Sequence, residues 1–463
     1  MTQTADRSTD SLRIRMMGTV LTGDDAGYDD ARSVFNGAVD RRPAIIARCA
    51  NSTDVAHALR FAREHGLEVS VRGGAHNFAG IAVAVDGMMI DLSPMRRVTV
   101  DPDARVAVVG GGATLADLDA ATQEHGLAVT GGTVSHTGVG GLTLGGGFGW
   151  LTPMLGLTSD NLVAADLVTA DSRQLRVTAD EHPELFWAIR GGGGNFGVVT
   201  SFEFRLHPVG PLVDFGLLFW EDDRLAEALR LLRDIVATLP RTTGALIAPM
   251  NAPPAVFIPE AHHLTPGVAF LLAGFAGRAE HAKLLEPVRA ALPPLFEFVT
   301  PMPYTALQQA LDESAPWGIN VYEKALWLDE LSDGAIDVVR THLPKRTSPM
   351  SFVPTFALYG AYGDLGDETA FGATRKERFA FNVAAITPDP RVLAAERAWA
   401  RAFWQDMLPH AAGTGNYVNF LAEADDARVR SSFGPKYARL ARVKAAYDPD
   451  NVFHLNPNIK PAT

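Results

Sequence analysis

The sequence predicts an α+β fold in two packed parts, and three features of its 463 residues carry that prediction. Glycine is crowded into the first half, at Val71–Gly80, Val109–Gly112, Gly131–Trp150 and Gly191–Gly197. Between these clusters short apolar runs alternate with stretches of helical period, the pattern of an α/β unit from about Arg42 to Pro208. From Val209 glycine thins out, and longer helical stretches alternate with strand-like runs, which predicts a second, α+β part.

In chain order, Ala44–Ala47, Leu67–Val71, Ala107–Val109 and Leu162–Thr169 are predicted strands. Thr53–His65 and Leu115–His125 are predicted helices, each followed by a glycine, Gly66 or Gly126, of the kind that closes a helix in the left-handed conformation. In the second part Asp214–Trp220, Val268–Gly274 and Phe352–Tyr359 read as strands, and Asp222–Leu239 and Arg278–Leu292 as helices. Pro253, Pro254, Pro293, Pro294, Pro301 and Pro303 are expected in loops rather than inside elements. Arg391–Asp406 and Lys436–Tyr447 read as helices before a tail rich in Pro and Asn.

Composition narrows the function. Hydrophobic residues are 47% and charged residues 20%, which excludes a disordered chain. Lys and Arg number 41 against 53 Asp and Glu, a net charge of −12 with no basic stripe, so a nucleic-acid partner is excluded. The single cysteine, Cys49, offers no disulfide and no thiolate metal framework, and a reducing compartment is expected. The first residues lack the apolar stretch of a secretory signal, and no apolar run is long enough to span a membrane. The expected location is therefore cytoplasmic, with no membrane partner.

The glycine clusters suggest a ligand. Arg72-Gly73-Gly74-Ala75-His76-Asn77 leaves a predicted strand, and glycines there let main-chain N–H groups approach an anion such as a pyrophosphate. Gly131–Trp150 carries an entropic cost that makes sense where backbone wraps a ligand, and Arg190–Gly197 could hold another part of the same molecule. A dinucleotide fold of the Rossmann type does not fit, because Leu115 stands where GxGxxG needs its third glycine. A GxxxxGK[ST] phosphate loop is absent, and His262-His263 lack the partners of a metal site.

Taken in order, RGGAHN, GGGATLADL, GGTVSHTGVGGLTLGGGFGWLTPMLGLTSDNL, DEHPELFWAIRGGGGNFGVVTSFEF, YVNF and YDPDNVFHLNPNI resemble the berberine-bridge-enzyme-like branch of the vanillyl-alcohol-oxidase/p-cresol-methylhydroxylase superfamily of FAD enzymes. The pattern is most similar to bacterial 6-hydroxynicotine-oxidase-like members. The resemblance is strong to Pro208, weak from Val209 to Gly415, and strong again to Pro461. It implies a two-part α/β FAD-binding domain of the p-cresol-methylhydroxylase type over residues 1–211. It further implies an antiparallel-sheet substrate domain covered by helices over 212–415, and a segment, 416–463, returning to the first domain.

The resemblance also implies roles. His76 matches the histidine bonded to the flavin 8α-methyl group, within a pyrophosphate loop of Arg72, Gly73, Gly74, Ala75, His76, Asn77 and Phe78. Val134 stands where bicovalent members carry cysteine, so no cysteinyl bond is expected. Val134, Thr137, Gly138, Gly140, Gly141 and Leu142 would pass the reactive edge of the flavin, with room for dioxygen beside Val134, Thr137 and Leu142. His136 reads as a packing or hydrogen-bonding residue. Gly146, Gly147, Asp160, Asn161, Gly194, Val198, Val199 and Asn456 would complete the cofactor site.

Tyr417 matches the family's catalytic base, and as part of a strand it would share a face with Asn419. An unperturbed tyrosine ionises near pH 10, so this one needs a hydrogen-bond donor or a cation to work at neutral pH. Tyr359 and Tyr362 are candidates for a second acid–base group. The implied activity is FAD-dependent oxidation of a small organic molecule, with hydride passing to flavin N5 and dioxygen reoxidising the flavin to give hydrogen peroxide. A flavin-dependent dehydrogenase, an oxygenating enzyme of secondary metabolism and a non-catalytic ligand-binding flavoprotein are the alternatives.

Overall fold

The computed structural model describes residues 2–413, 415–421, 423 and 425–463. Its first part contains two sheets. Thr19–Leu21, Ile45–Arg48, Met88–Asp91 and Val69–Arg72 lie side by side in that order, the last three parallel to one another. The helix Ser52–Glu64 makes the crossover between the parallel strands Ile45–Arg48 and Val69–Arg72, which flank Met88–Asp91; Asn51 caps it by accepting from the Asp54 N–H. Val98–Asp101, Val106–Gly110, Val198–Arg205, Leu162–Val168 and Gln174–Thr178 form the second sheet, antiparallel throughout.

The second part is one seven-stranded antiparallel sheet. Its order is Phe296–Pro303, Leu212–Glu221, Pro266–Gly274, Thr243–Asn251, Thr355–Ala357, Phe379–Thr387, Asn320–Leu328. Alternation along each strand divides its side chains between two faces. Leu218, Trp220, Ile247, Phe270, Leu326 and Phe381 join a core with the helices Leu225–Val236, Arg278–Ala291, Asp333–His342 and Leu393–Met407. The opposite face sends Leu246, Val321, Glu323, Phe356, Asn382 and Ala384 toward the glycine loops of the first part. The fold is thus α+β in two parts, as the sequence predicts.

The chain's last stretch rejoins the first part. Leu440, Ala441 and Val443 of the helix Tyr437–Tyr447, with Ile459 beyond it, are buried with Val109, Leu167 and Phe202 of the five-stranded sheet. Lys444 and Asp448, both fully buried, form an ion pair at 2.6 Å. The same ammonium donates to the carbonyls of Asn195 and Phe453, and so ties this helix to the third glycine cluster.

Three sequence expectations are corrected. Tyr417 is not in a strand; it precedes a 3-10 turn over Val418–Phe420. The strand expected at Phe352–Tyr359 is confined to Thr355–Ala357. Pro301 and Pro303 lie inside Phe296–Pro303, where an outermost strand tolerates a missing N–H. No helix among the described residues is long and apolar enough to cross a membrane.

Candidate active site

A cavity of about 370 Å³ opens between the two parts. Its walls come from the loop after the strand Val69–Arg72, the segments around Val134–Leu142 and Gly192–Val199, the turn Tyr417–Phe420 and the segment Phe453–Pro457. The inner face of the seven-stranded sheet closes the remaining side. Two backbones meet at this junction. A Cβ on Gly74 would stand 2.2 Å from the Gly138 nitrogen, and one on Gly138 would stand 2.3 Å from the Gly74 nitrogen. Only a glycine pair allows that approach, which holds the His76 loop against the Val134–Leu142 segment.

His76 lies against the Phe35 ring, with centroids 4.0 Å apart and planes 13° from parallel. Its Nε2 is 3.2 Å from Nδ1 of His136, whose Nε2 is 3.0 Å from the Ala315 carbonyl. A carbonyl only accepts, so His136 donates through Nε2 and receives through Nδ1. His76 must then donate through Nε2, which leaves its Nδ1 without a proton. Burial, assisted by the neighbouring His136, pushes the His76 pKa down to about 3. The ring is therefore neutral at physiological pH and carries a free lone pair.

Elsewhere on the cavity wall, the Tyr417 oxygen accepts from the Gly147 N–H at 3.0 Å and from Asn419 Nδ2 at 2.9 Å. The Asn419 amide also donates to the Leu142 carbonyl. Gly147 makes its contact from a left-handed conformation, φ +80°, in which a side chain would be strained. Gly145 leaves the space that Asn419 occupies, since a Cβ there would fall 2.2 Å from the Asn419 amide oxygen. Burial pushes the Tyr417 hydroxyl above the ordinary tyrosine value, while the two donors pull it back toward ionisation.

The structure brings most of the sequence candidates to this one cavity. Gly73, Gly74, Ala75, His76, Asn77, Phe78, Val134, Thr137, Gly138, Gly140, Gly141, Leu142, Gly194, Val198, Val199, Tyr417, Asn419 and Asn456 all line it. Gly146 and Gly147 stand behind Tyr417 rather than on the wall, and Arg72 turns away to the Ala31 carbonyl.

Asp160 is held by Arg375 at 2.8 Å, and Asn161 donates to the carbonyls of Leu155 and Leu157; neither reaches the cavity. The expectation for Tyr359 and Tyr362 is corrected. Tyr359 donates to the Thr243 carbonyl and Tyr362 to Glu377, both outside the lining, because the chain leaves the sheet after Ala357.

Two polar residues that the inner face of the seven-stranded sheet brings to the wall are absent from the sequence candidates. Glu323 and Asn382 face the cavity from neighbouring strands, 3% and 1% exposed. Oε2 of Glu323 and Oδ1 of Asn382 have no hydrogen-bond partner. The available signal was an acid in the middle of NVYEKALWL, where alternation puts Glu323 on the face opposite Tyr322 and Lys324. No cluster of metal-ligating side chains occurs among the described residues.

The comparisons with known proteins agree with this geometry. The family model described as an FAD binding domain matches residues 43–178, and the one described as berberine and berberine-like matches residues 416–460. (R)-6-hydroxynicotine oxidase of Paenarthrobacter nicotinovorans is 30% identical over 97% of this chain and 98% of its own. The uncharacterized FAD-linked oxidoreductase YgaK of Bacillus subtilis is 30% identical over the same shares. Among solved structures, 6-hydroxy-D-nicotine oxidase from Arthrobacter nicotinovorans superposes with a TM-score of 0.84 at 28% identity, covering 96% of this chain and 98% of that one. With family models matching two of the segments that line the cavity and relatives 30% identical over nearly the whole chain, this chain belongs to the berberine-bridge-enzyme-like FAD-linked oxidases of the p-cresol-methylhydroxylase superfamily.

Proposed function

We propose that the protein holds FAD covalently through His76 and oxidises a small organic substrate at the expense of dioxygen, releasing hydrogen peroxide. The observation that carries this reading is that a neutral histidine with a free Nδ1 and a tyrosine oxygen with two donors face one cavity. The wall fits the cofactor. A Cβ at Gly141 or Gly194 would meet no atom within 4 Å, so both glycines border open space. The Oδ1 of Asn456, whose amide group donates to Gly194, is a buried acceptor without a partner. Bound there, FAD supplies a two-electron acceptor.

The chain's own residues divide the remaining work. His76 Nδ1 is the attachment atom, since its other nitrogen is engaged by His136. The sole cysteine, Cys49, is buried at the end of a strand and does not line the cavity, which supports attachment by histidine alone. Ionised Tyr417 removes a proton from the substrate as the reacting carbon gives up two electrons, and the Gly147 and Asn419 donors stabilise the negative charge that its oxygen carries until the proton arrives. Phe148 and Phe420, with ring centroids 4.7 and 4.8 Å from that of Tyr417, pack apolar surface against its ring.

Acid precipitation of the purified protein tests the attachment: yellow colour should stay in the pellet and be lost from it in His76→Ala. Stoichiometric peroxide during turnover in air tests the acceptor. Colour released from the wild type would overturn the covalent link, and turnover without peroxide would replace the oxidase by a dehydrogenase.

A further inference from the structure

A second cavity, of about 650 Å³, adjoins the first. Phe78, Ile81, Val321 and Leu455–Pro457 line both, and Val39 and Leu421 extend the apolar surface of the second. It wraps the outermost strand Asn320–Leu328, taking Val321 from one face and Tyr322 from the other. Arg41 enters its wall from the first part of the fold, and Arg397 and Arg401 from the helix Leu393–Met407 of the second. The acids on the same walls are engaged already, Asp40 by Arg32 and Glu423 by Lys324 and Arg401. Arg41 donates to the Gly80 carbonyl, while Arg397 lies over the Tyr322 ring with its Nε buried and without a hydrogen-bond partner. Among the described residues neither of these two arginines meets a carboxylate. In a chain of net charge −12, two arginines facing one cavity without an acid make a place for an anion from outside.

We infer that Arg41 and Arg397 bind the carboxylate of an amphipathic substrate, whose apolar body runs along Phe78, Val321 and Leu455 and puts its oxidisable end in the first cavity. This names a substrate class for the oxidase reading and rests on it. A guanidinium presents a planar fork of donors that matches the two oxygens of a carboxylate, and the two arginines come from different parts of the fold, so one anion is held from both sides. The shared apolar residues give the body of the molecule a continuous surface from one cavity to the other. A cationic tail does not fit: Lys324, Arg397 and Arg401 stand 5.7, 5.6 and 5.1 Å from the Tyr322 ring centroid, three positive groups around the single carboxylate of Glu423.

The test compares 5-phenylpentanoate with 5-phenylpentanamide, which replaces the carboxylate by a neutral group of the same shape. Calorimetry on the anaerobic holoenzyme at neutral pH and low salt gives the two affinities, and the flavin absorbance reports whether the phenyl end reaches the first cavity. The acid should bind about 10-fold more tightly than the amide, the lower end of the range for hydrogen bonds to a charged group, because the side chains of Arg401 and Glu423 are half exposed to water and its ions. Both probes should perturb the flavin band. Arg397→Gln should bring the two within about threefold, and Arg41→Gln should weaken the acid and spare the amide.

Equal binding of the two probes, no binding of either, or an acid preference that survives in Arg397→Gln would each overturn the proposal. Inorganic phosphate and acetate separate a substrate tail from a free anion: if either binds as tightly as the acid, and the acid leaves the flavin band unmoved, the arginines hold a free anion and the substrate assignment falls. Failure of the oxidase reading has a separate signature, since binding is read without turnover: the Arg397-dependent preference and the band shift remain, yet no substrate of the holoenzyme yields peroxide in air.

Discussion

Replacing Asn419 by alanine should move the working pH of Tyr417 upward. The Tyr417 oxygen accepts two hydrogen bonds, from Gly147 and from Asn419, and both favour the ionised form, whereas burial opposes it. A hydrogen bond to a charged group contributes about 1.5–3 kcal/mol, and one pH unit corresponds to about 1.4 kcal/mol. Loss of the Asn419 donor therefore raises the pKa by about 1–2 units.

A general base acts only when deprotonated, so the rising limb of the rate should shift to higher pH by that amount. Below the limb the rate falls by about 10- to 100-fold, and at high pH the variant and wild-type rates converge. Anaerobic rapid mixing with a substrate found by a peroxide screen, following flavin bleaching across neutral and alkaline pH, gives the limb directly. Tyr417→Phe should lower the rate by about 10²–10⁴ and abolish the limb. A limb that stays in place in Asn419→Ala, or that persists in Tyr417→Phe, would refute the assignment of Tyr417 as the base.

Other changes test the supports of the site. Gly138→Ala puts a methyl group against the Gly74 backbone and should cost about 1–3 kcal/mol locally; flavin content of the purified variant should fall while its far-UV spectrum is kept. Lys444→Met strands the buried Asp448 carboxylate and should destabilise the protein by about 3–5 kcal/mol in urea unfolding; a loss below about 1 kcal/mol would show the pair to be dispensable. Burial pushes Asp119 up to about 7 against one hydrogen bond from Gln308. Because the folded state holds this proton longer than the unfolded chain, its contribution to stability falls as pH rises from about 4 to 7. Asp119→Asn should flatten the thermal stability over that window, measured against the wild type in matched buffers.

The sequence discloses the cofactor side of the site more fully than the substrate side. Gly74 and Gly138 are legible because backbone contact admits no other residue, whereas His76 stands out only through the family pattern that its loop resembles. The pairing of Tyr417 with Asn419 emerges for a different reason from the strand alternation that suggests it. An extended Tyr417 followed by a 3-10 turn brings the amide onto the hydroxyl. Tyr359 and Tyr362 cannot be placed from sequence, since their fate depends on where the chain leaves a three-residue strand. Glu323 was visible as an acid in an apolar run, but the value of that signal lies in which face of the strand meets the cavity, a tertiary fact.

The active site is closed by contacts that span most of the chain. Gly147 meets Tyr417 across 270 residues, Gly194 meets Asn456 across 262, and Asn195 meets Ile459 across 264. During synthesis at about 5–20 residues per second, the glycine loops wait roughly 15–50 s for the residues that complete their cavity. A nascent chain therefore exposes a half-built cofactor cleft during translation, and secure capture of the flavin becomes an event of the finished polypeptide. A limited supply of flavin would then be felt as a population of completed but empty chains rather than as stalled folding.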